Sequence, residues 1–433
     1  MTILLLDLDG TLTDTAHQKF KGMKDGKEET ILTEIPVFPG ALEFVNSMKS
    51  KGYELIIVSD SHPRYVEPIA NKLFELENIN LCDKPNIQKV RNYLYDRHLD
   101  TVGHPNIDID KDDFLMIGDS WLDIELGRRL NIRTVLTKFY KASSVEERDG
   151  IGEDWKPIKM GPTYYAKTFD ELGDIIENPL SNLLAIESIF QGHDSPRAVD
   201  FKFQKYSNGF LAFRCLGRQN DGECDKYARA DKYYQIDNPN RTQDFLLQLS
   251  KATENYLNNV LSFKNYQWDI FTYLTDKSTT TPANKMKEIF DLVNIETKKI
   301  QIFDWNKDID GSLRSRPDYK SRREFISKNL FIRDGIDVKG KNIIVLDDQF
   351  TSSATAYEVS TQLRNKGAKN ILFVALFYLI LPIESKTCPN IINGQVCGKP
   401  LKIKIRKSDG NKFYSCLSSK YGGNGCGYTE NIT

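Results

Sequence analysis

The chain has little that would take it out of an aqueous compartment. Its longest apolar run, Ile371 to Ile383, is about 13 residues, short of the roughly 18 a spanning helix needs, and Tyr378 and Pro382 interrupt it. No signal-peptide pattern precedes Asp7, so the expectation is a cytoplasmic protein. Net charge is almost absent: 59 Lys and Arg against 60 Asp and Glu leave −1, so a nucleic-acid partner would need a local patch. Histidine is scarce, and His17, His62, His98, His104 and His193 show no ligand spacing. Cysteine is scarce too, seven in all, yet four of them crowd into the last 46 residues, which points to metal rather than disulfides. With 27% charged and 40% hydrophobic residues the composition is that of a globular chain, and 433 residues predict two to three domains.

What is present begins at Leu4-Leu5-Leu6-Asp7-Leu8-Asp9-Gly10-Thr11-Leu12-Thr13. The apolar run reads as a buried strand ending in two carboxylates, and alternation puts Asp7 and Asp9 on one side of its tip. Gly10 allows a sharp turn, and Thr11 and Thr13 bring hydroxyls beside the acids. Carboxylates this close repel unless a cation sits between them, which suggests Mg2+. A bare D-x-D would instead read as a strand followed by a solvated acidic turn. Further on, a helix with Leu42, Phe44, Val45 and Met48 at helical spacing leads into the strand Tyr53 to Val58, with Ser59 at its end. Lys84 precedes another helix. Phe114 to Ile117 is a strand running into Gly118-Asp119-Ser120-Trp121-Leu122-Asp123.

In that order, these four stretches resemble motifs I to IV of the haloacid dehalogenase phosphohydrolases. The resemblance implies that Asp7 attacks phosphorus to form an aspartyl-phosphate and that Asp9 acts as acid and then base. It implies Mg2+ held by Asp7, the Asp9 carbonyl and Asp119, with Asp123 in support. Lys84 would neutralise the phosphoryl oxygens, and Ser59 with Thr11 would position them. Such enzymes usually carry a cap domain. Here only about 25 residues separate Asp14 from Phe38, and two helices and a strand fill the gap between Ser59 and Asp119, so an open, capless site is expected. Capless members often act on large substrates, including nucleic-acid 3′-phosphate ends, as in polynucleotide kinase-phosphatases. A polar loop over Lys141 to Asp154, a last strand at Thr163 to Ala166 and a helix from Phe169 would complete residues 1–178 as this domain.

For residues 179–385 the informative stretch is Lys341 to Thr355. A buried strand ends in Asp347 and Asp348, and Gln349-Phe350-Thr351-Ser352-Ser353 leads into a helix with Ala356, Val359 and Leu363 on one face, ended by Gly367. Backbone amides at a helix start, with the hydroxyls of Thr351, Ser352, Ser353 and Thr355, make a phosphate cradle, and acids beside it can bind ribose hydroxyls. Ile371 to Phe377 completes a β-α-β unit. The stretch resembles the 5-phosphoribosyl 1-pyrophosphate (PRPP) signature of type I phosphoribosyltransferases. Leu313-Arg314-Ser315-Arg316, Arg322-Arg323 and the strand-like Asp269 to Tyr273 resemble the competence-protein-type branch. Ser353 stands where that family usually has Gly. Lys277 to Thr281 is a candidate pyrophosphate loop or a plain polar connector. Cys215 and Cys224 lack obvious partners.

In residues 386–433, Cys388, Cys397, Cys416 and Cys426 form two pairs flanking an alternating segment (Leu401, Ile403 and Ile405 with Lys402, Lys404 and Arg406) and an Asp409-Gly410 turn. A small β unit with a cysteine pair at each end is a zinc ribbon by physical logic, folding on Zn2+. Phe413 to Cys416 and Cys426 to Thr429 resemble the ribbons that end bacterial type I topoisomerases. Lys402, Lys404, Arg406, Lys407 and Lys412, beside Tyr414 and Tyr421, read equally as a grip on a phosphodiester backbone or as a hairpin's solvated face.

The expected architecture is α/β: two doubly wound parallel-sheet domains and a small β ribbon. The expected function is an Mg2+-dependent phosphohydrolase coupled to PRPP or phosphoribosyl binding or transfer in nucleotide-like metabolism. The alternative is nucleic-acid end-processing or sensing, with the ribbon as docking module. The substrate is accordingly a phosphorylated nucleotide, a phosphoribosyl compound or a nucleic-acid end, and no membrane partner is expected.

Overall fold

The computed structural model describes residues 2–99, 103, 107, 113–139, 155–220, 227–228, 236, 238, 241–259, 266–275, 285–306, 313, 316, 319–383, 386–392, 394–399, 401–405, 412–416 and 426–431. The expected loop at Lys141 to Asp154, the candidate loop Lys277 to Thr281, and Cys224, Arg314, Ser315, Arg406, Lys407, Asp409, Gly410 and Tyr421 lie outside the described residues. Two compact units form. One holds Met1–Gly173 and Pro382–Thr433, the other Asp174–Asp221 and Lys226–Leu381.

The first unit alternates strands and helices: β1 (Ile3–Leu6), α1 (Ala41–Ser50), β2 (Glu54–Ser59), α2 (Pro63–Leu73), β3 (Ile79–Leu81), α3 (Ile87–Arg97), β4 (Phe114–Gly118), α4 (Trp121–Arg129), β5 (Arg133–Thr137) and β6 (Tyr164–Ala166), and α5 (Phe169–Glu177) spans its boundary at Gly173. The six strands make one parallel sheet in the order β3-β2-β1-β4-β5-β6. Helices cover both faces of such a sheet, so its central strands are apolar throughout; β1 and β4 are buried at every position. Chain direction across the sheet reverses between β1 and β4, and the C-terminal ends on either side of that switch are where ligands bind in open α/β sheets. One sequence expectation shifts here. Ala41, Phe44, Val45 and Met48 form the buried stripe of α1, whereas Leu42, one step round the helix, is 40% exposed. Between Asp14 and Phe38 the chain makes short helical turns that bury Phe20, Met23 and Ile35 and bond to the start of α2, where His62 N donates to Lys24 O at 2.8 Å.

The C-terminal part of this unit is a two-stranded pair, β14 (Ile391–Ile392) with β15 (Gln395–Val396), and an antiparallel sheet of β16 (Leu401–Ile405), β17 (Lys412–Cys416) and β18 (Thr429–Asn431). Its hydrophobic core is Cys388, Cys397, Leu401 and Cys416, with Tyr414, Cys426 and Tyr428 packed on them. No helix among the described residues is long and apolar enough to cross a membrane.

The second unit carries β7 (Val199–Tyr206), β8 (Gly209–Gln219), α6 (Gln243–Asn259), β9 (Ile270–Tyr273), α7 (Lys285–Leu292), β10 (Phe303–Trp305), α8 (Tyr319–Asn329), β11 (Leu330–Ile332), β12 (Asn342–Phe350), α9 (Ala354–Asn365) and β13 (Asn370–Leu379). Its five-stranded sheet runs β7-β8-β13-β12-β9, parallel except for β7, which pairs antiparallel with β8 at the edge. Ala356, Val359 and Leu363 are buried, and Gly367, at φ +88°, follows α9. β12 is longer than its sequence pattern suggests. Asp347 and Asp348 lie within the strand, because β13 offers ladder partners as far as Phe377 for Gln349 and Tyr378 for Phe350, and Phe350 is buried.

Candidate functional site

Asp7 follows β1 directly, and its N–H donates to the Ile117 carbonyl of β4 at 2.8 Å. Asp119 follows β4, so sheet register alone brings the two acids together across the switch point. Gly10, at φ +84°, turns the chain back beside them; a Cβ there would run into the Asp119 carboxylate. Asp123 comes from the first turn of α4 and forms a capping box with Ser120, its Oδ2 accepting from Ser120 N at 3.0 Å and Oγ at 2.7 Å. Carboxylate oxygens of Asp7, Asp119 and Asp123 all lie within 4.8 Å of one another, and all three residues are buried.

Lys84 enters this cluster from the segment between β3 and α3. Its Nζ lies 2.5 Å from Asp7 Oδ1 and 2.6 Å from Asp123 Oδ1, and its backbone N–H donates to Asp60 Oδ1 at 2.6 Å. A lysine in isolation would sit at the surface; this one is 8% exposed. Burial alone would discharge it, but Asp123 and Asp7 outweigh that and hold the ammonium well above its usual range. Burial, then repulsion from Asp123, holds the Asp7 carboxyl well above the usual carboxylate range. Three carboxyl groups converge beside one ammonium in a buried space, and once ionised they are a donor set that fits one divalent cation.

The Asp9 side chain takes no part in the carboxylate cluster and is held by hydroxyls instead. Thr15 Oγ1 donates to its Oδ1 at 2.5 Å, Tyr65 OH to the same oxygen at 2.7 Å, and Ser61 Oγ to Oδ2 at 2.8 Å. Sequence reasoning missed Thr15, Ser61 and Tyr65, since nothing but the fold aims residues of α2 and its approach at the loop after β1. Thr11 Oγ1 lies 3.5 Å from Asp7 Oδ2, and buried Ser59 accepts the Ser61 N–H at its Oγ at 3.2 Å.

In the second unit, Thr351, Ser352 and Ser353 make the turn from β12 into α9, and Thr355 lies in the helix's first turn. Ser353 has φ +61°, the left-handed region that favours glycine, and its hydroxyl bonds the Ser352 carbonyl. Asp347 is buried, and its Oδ1 accepts the Asp348 N–H at 3.0 Å. Asp348 pairs with Lys285 Nζ at 2.8 Å, a partner from α7 that the sequence did not suggest.

At the C-terminal end, the sulfurs of Cys388 and Cys426 are 3.3 Å apart and those of Cys397 and Cys416 3.6 Å, and all four lie within 4.8 Å of one another. These separations exceed the roughly 2.05 Å of a disulfide and approach the about 3.8 Å expected between sulfurs around a tetrahedral zinc. Burial pushes the Cys388 thiol up. At Cys426 burial is outweighed by hydrogen bonds from Asn390 and Cys388, and the thiol falls to about 7. Among the described residues, the four cysteines and the Asp7 cluster are the groups with metal-binding geometry.

Residues 18–131 match the family model for haloacid dehalogenase-like hydrolases, a span that takes in Ser59, Lys84, Asp119 and Asp123 and begins past Asp7 and Asp9. No curated protein matches the chain. Among solved structures, a hydrolase from Pseudomonas syringae overlaps 41% of this chain and 99% of its own at 18% identity and TM-score 0.28. A phosphoserine phosphohydrolase-like protein from Francisella tularensis overlaps 41% and 100% at 14% identity and TM-score 0.26. A hypoxanthine phosphoribosyltransferase from Staphylococcus aureus overlaps 32% and 65% at 11% identity and TM-score 0.21. Likenesses at these identities and TM-scores carry no argument. The family match, with the parallel sheet and its acids, does: the chain carries a haloacid dehalogenase-like hydrolase domain.

Proposed function

We propose that the first unit is an Mg2+-dependent phosphomonoester hydrolase working through a phosphorylated Asp7. The observation that carries the reading is the convergence of Asp7, Asp119, Asp123 and Lys84 at the switch point of the sheet. Mg2+, held by Asp7 and Asp119 with Asp123 behind them, would supply neutralisation of charge on the phosphoryl oxygens.

The chain's own groups carry the steps. An Asp7 carboxylate oxygen bonds to phosphorus as the bond from phosphorus to the substrate oxygen breaks, and Asp9 gives that oxygen its proton. Asp9, now a carboxylate, takes a proton from water; the hydroxide bonds to phosphorus, the bond to Asp7 breaks, and phosphate leaves. Thr15, Ser61 and Tyr65 hold the Asp9 carboxyl in one orientation through both transfers. Lys84 keeps a positive charge beside the nucleophile, and Ser59 with Thr11 stands ready to bond phosphoryl oxygens.

We further propose that Thr351 to Thr355 in the second unit bind a 5-phosphorylated ribose, with Asp347 and Asp348 facing its hydroxyls. The tight left-handed entry into α9 beside two acids supports this. Cys388, Cys397, Cys416 and Cys426 would hold Zn2+, supported by their sulfur separations. The chain would then act in nucleotide-like metabolism. The test is phosphate release in Mg2+ from a panel of nucleoside monophosphates, phosphosugars including PRPP, and a 3′-phosphorylated oligonucleotide. Selective release from nucleotides or phosphoribosyl compounds supports the reading; selective release from the oligonucleotide replaces it with end-processing.

A further inference from the structure

Two stretches of the first unit that lie far apart in sequence meet at the lysine segment. Asn86 Nδ2 donates to the Cys397 carbonyl oxygen at 3.2 Å, and Lys399 Nζ lies 3.7 Å from Asp83 Oδ2. Asn86 is 5% exposed and makes a second bond with its other side-chain atom, since Oδ1 accepts the Gln88 N–H at 3.1 Å and caps α3. One side chain therefore ties the start of α3, two residues beyond Lys84, to the backbone of a residue whose sulfur belongs to the cysteine cluster. Gly398 comes up to the same amide. A Cβ there would sit 3.6 Å from Asn86 Oδ1, and the residue's φ of +62° favours glycine.

The backbone around this contact is tightly knit. Cys388 N donates to Lys399 O at 2.7 Å, Cys397 N to Asn390 O at 2.7 Å, and Gly398 N to Cys388 O at 3.1 Å. What holds the knuckle from inside is the four sulfurs, Leu401 and two partly buried tyrosines, a core too small to persist unaided. The Lys399–Asp83 pair, 3.7 Å apart with Asp83 half exposed, adds little by itself. The buried amide-to-carbonyl bond is the link that counts, because breaking it leaves a buried donor without an acceptor.

We propose that the cysteine cluster, loaded with zinc, is a clasp on the lysine segment. Metal binding fixes the Cys397 carbonyl, the carbonyl holds Asn86, and Asn86 holds the segment from which Lys84 reaches Asp7 and Asp123. Asn86 is a positioning residue, and zinc occupancy sets how well ordered the hydrolase site is. The proposal rests on the hydrolase reading for its effect on turnover, but not for the coupling itself.

The test uses the full-length zinc-loaded chain in excess Mg2+, with zinc removed by a zinc-selective chelator and then restored. Amide exchange is followed over Asp83 to Val90 together with phosphate release. Removal should speed exchange at Gln88 to Val90 and lower kcat/KM roughly 5- to 100-fold, the range for one buried hydrogen bond left unmade, and zinc should restore both. Asn86→Asp keeps the acceptor that caps α3 but loses the donor to Cys397, so in that variant exchange and kcat/KM should no longer respond to zinc. Unchanged exchange on zinc removal, or a loss in Asn86→Asp that multiplies with zinc loss, overturns the clasp. If exchange responds to zinc while no phosphate ester is hydrolysed, the clasp stands and the hydrolase reading fails. If hydrolysis is intact and exchange ignores zinc, the reverse holds.

Discussion

Lys84 and Asp123, 39 positions apart, meet with Nζ 2.6 Å from Oδ1, and neither side chain is more than 5% exposed. The remaining Asp123 oxygen is taken by the Ser120 cap, so this residue joins the start of α4 to the lysine segment. Asp123→Ala should destabilise the chain by about 3–5 kcal/mol, since it leaves a buried ammonium short of a partner and breaks the capping box of α4. Asp123→Asn, which can still cap, should cost less. Denaturant unfolding of both variants against the parent checks the order.

Asp119 should act with opposite sign in the presence and absence of metal. Without divalent cation, the parent crowds three carboxyl groups around one ammonium in a buried cluster, and Asp119→Asn removes one of the three, so the variant should be the more stable of the two in EDTA. In Mg2+ the order should reverse, because the parent gains about 2.7 kcal/mol at a hundred times its dissociation constant and the variant gains little. Thermal melts with EDTA and with Mg2+ would show the curves changing places. The pH sign follows from the raised Asp7 carboxyl. It holds its proton in the folded chain to higher pH than in the unfolded one, so that contribution to metal-free stability is complete below about pH 4 and is lost as pH rises.

Tyr65 is buried to its ring, and its hydroxyl is one of three donors on Asp9. Tyr65→Phe keeps the packing and removes one hydrogen bond. Stability should fall by about 1 kcal/mol, while kcat falls by roughly an order of magnitude and KM stays close to the parent's, the mark of a residue that orients the proton donor. Steady-state kinetics on the best panel substrate decide it.

Ser353 holds a left-handed backbone that costs an L-residue about 1–2 kcal/mol and glycine almost nothing. Ser353→Gly should therefore stabilise the second unit by up to about 1 kcal/mol once the added freedom of the unfolded chain is counted. A fall in stability would mean that the hydroxyl bond to Ser352 O outweighs the strain. Calorimetry of the full chain resolves the difference.

Much of this was legible from local pattern. The apolar run before Asp7, the run before Asp119 and the alternation of elements were enough to place both acids at strand ends, whereas the pairing of β1 with β4 that makes those ends neighbours came from the sheet. The extent of β12 was not legible, because acids inside a strand look like its end until β13 supplies ladder partners beyond them. Nor was the Lys285–Asp348 pair, which joins α7 to β12 across 63 positions and leaves no mark in either segment. The departure at Ser353 was visible as a missing glycine, while its cause, a positive φ, needed coordinates. Nothing in the sequence singled out Asn86, whose cap on α3 is seen only in the fold. Its bond to Cys397, 311 positions away, depends wholly on where distant stretches of the unit come together.

The central claim is that Asp7 is the group that takes the phosphoryl. The most direct test is Mg2+-dependent turnover of the best panel substrate by the parent and by Asp7→Asn, with rapid acid quench and mass spectrometry to find covalently bound phosphate. The account predicts phosphate on Asp7 in the quenched parent and a loss of at least about 10³-fold in release for the variant. Release from Asp7→Asn within tenfold of the parent, or phosphate trapped on a different residue, would contradict it.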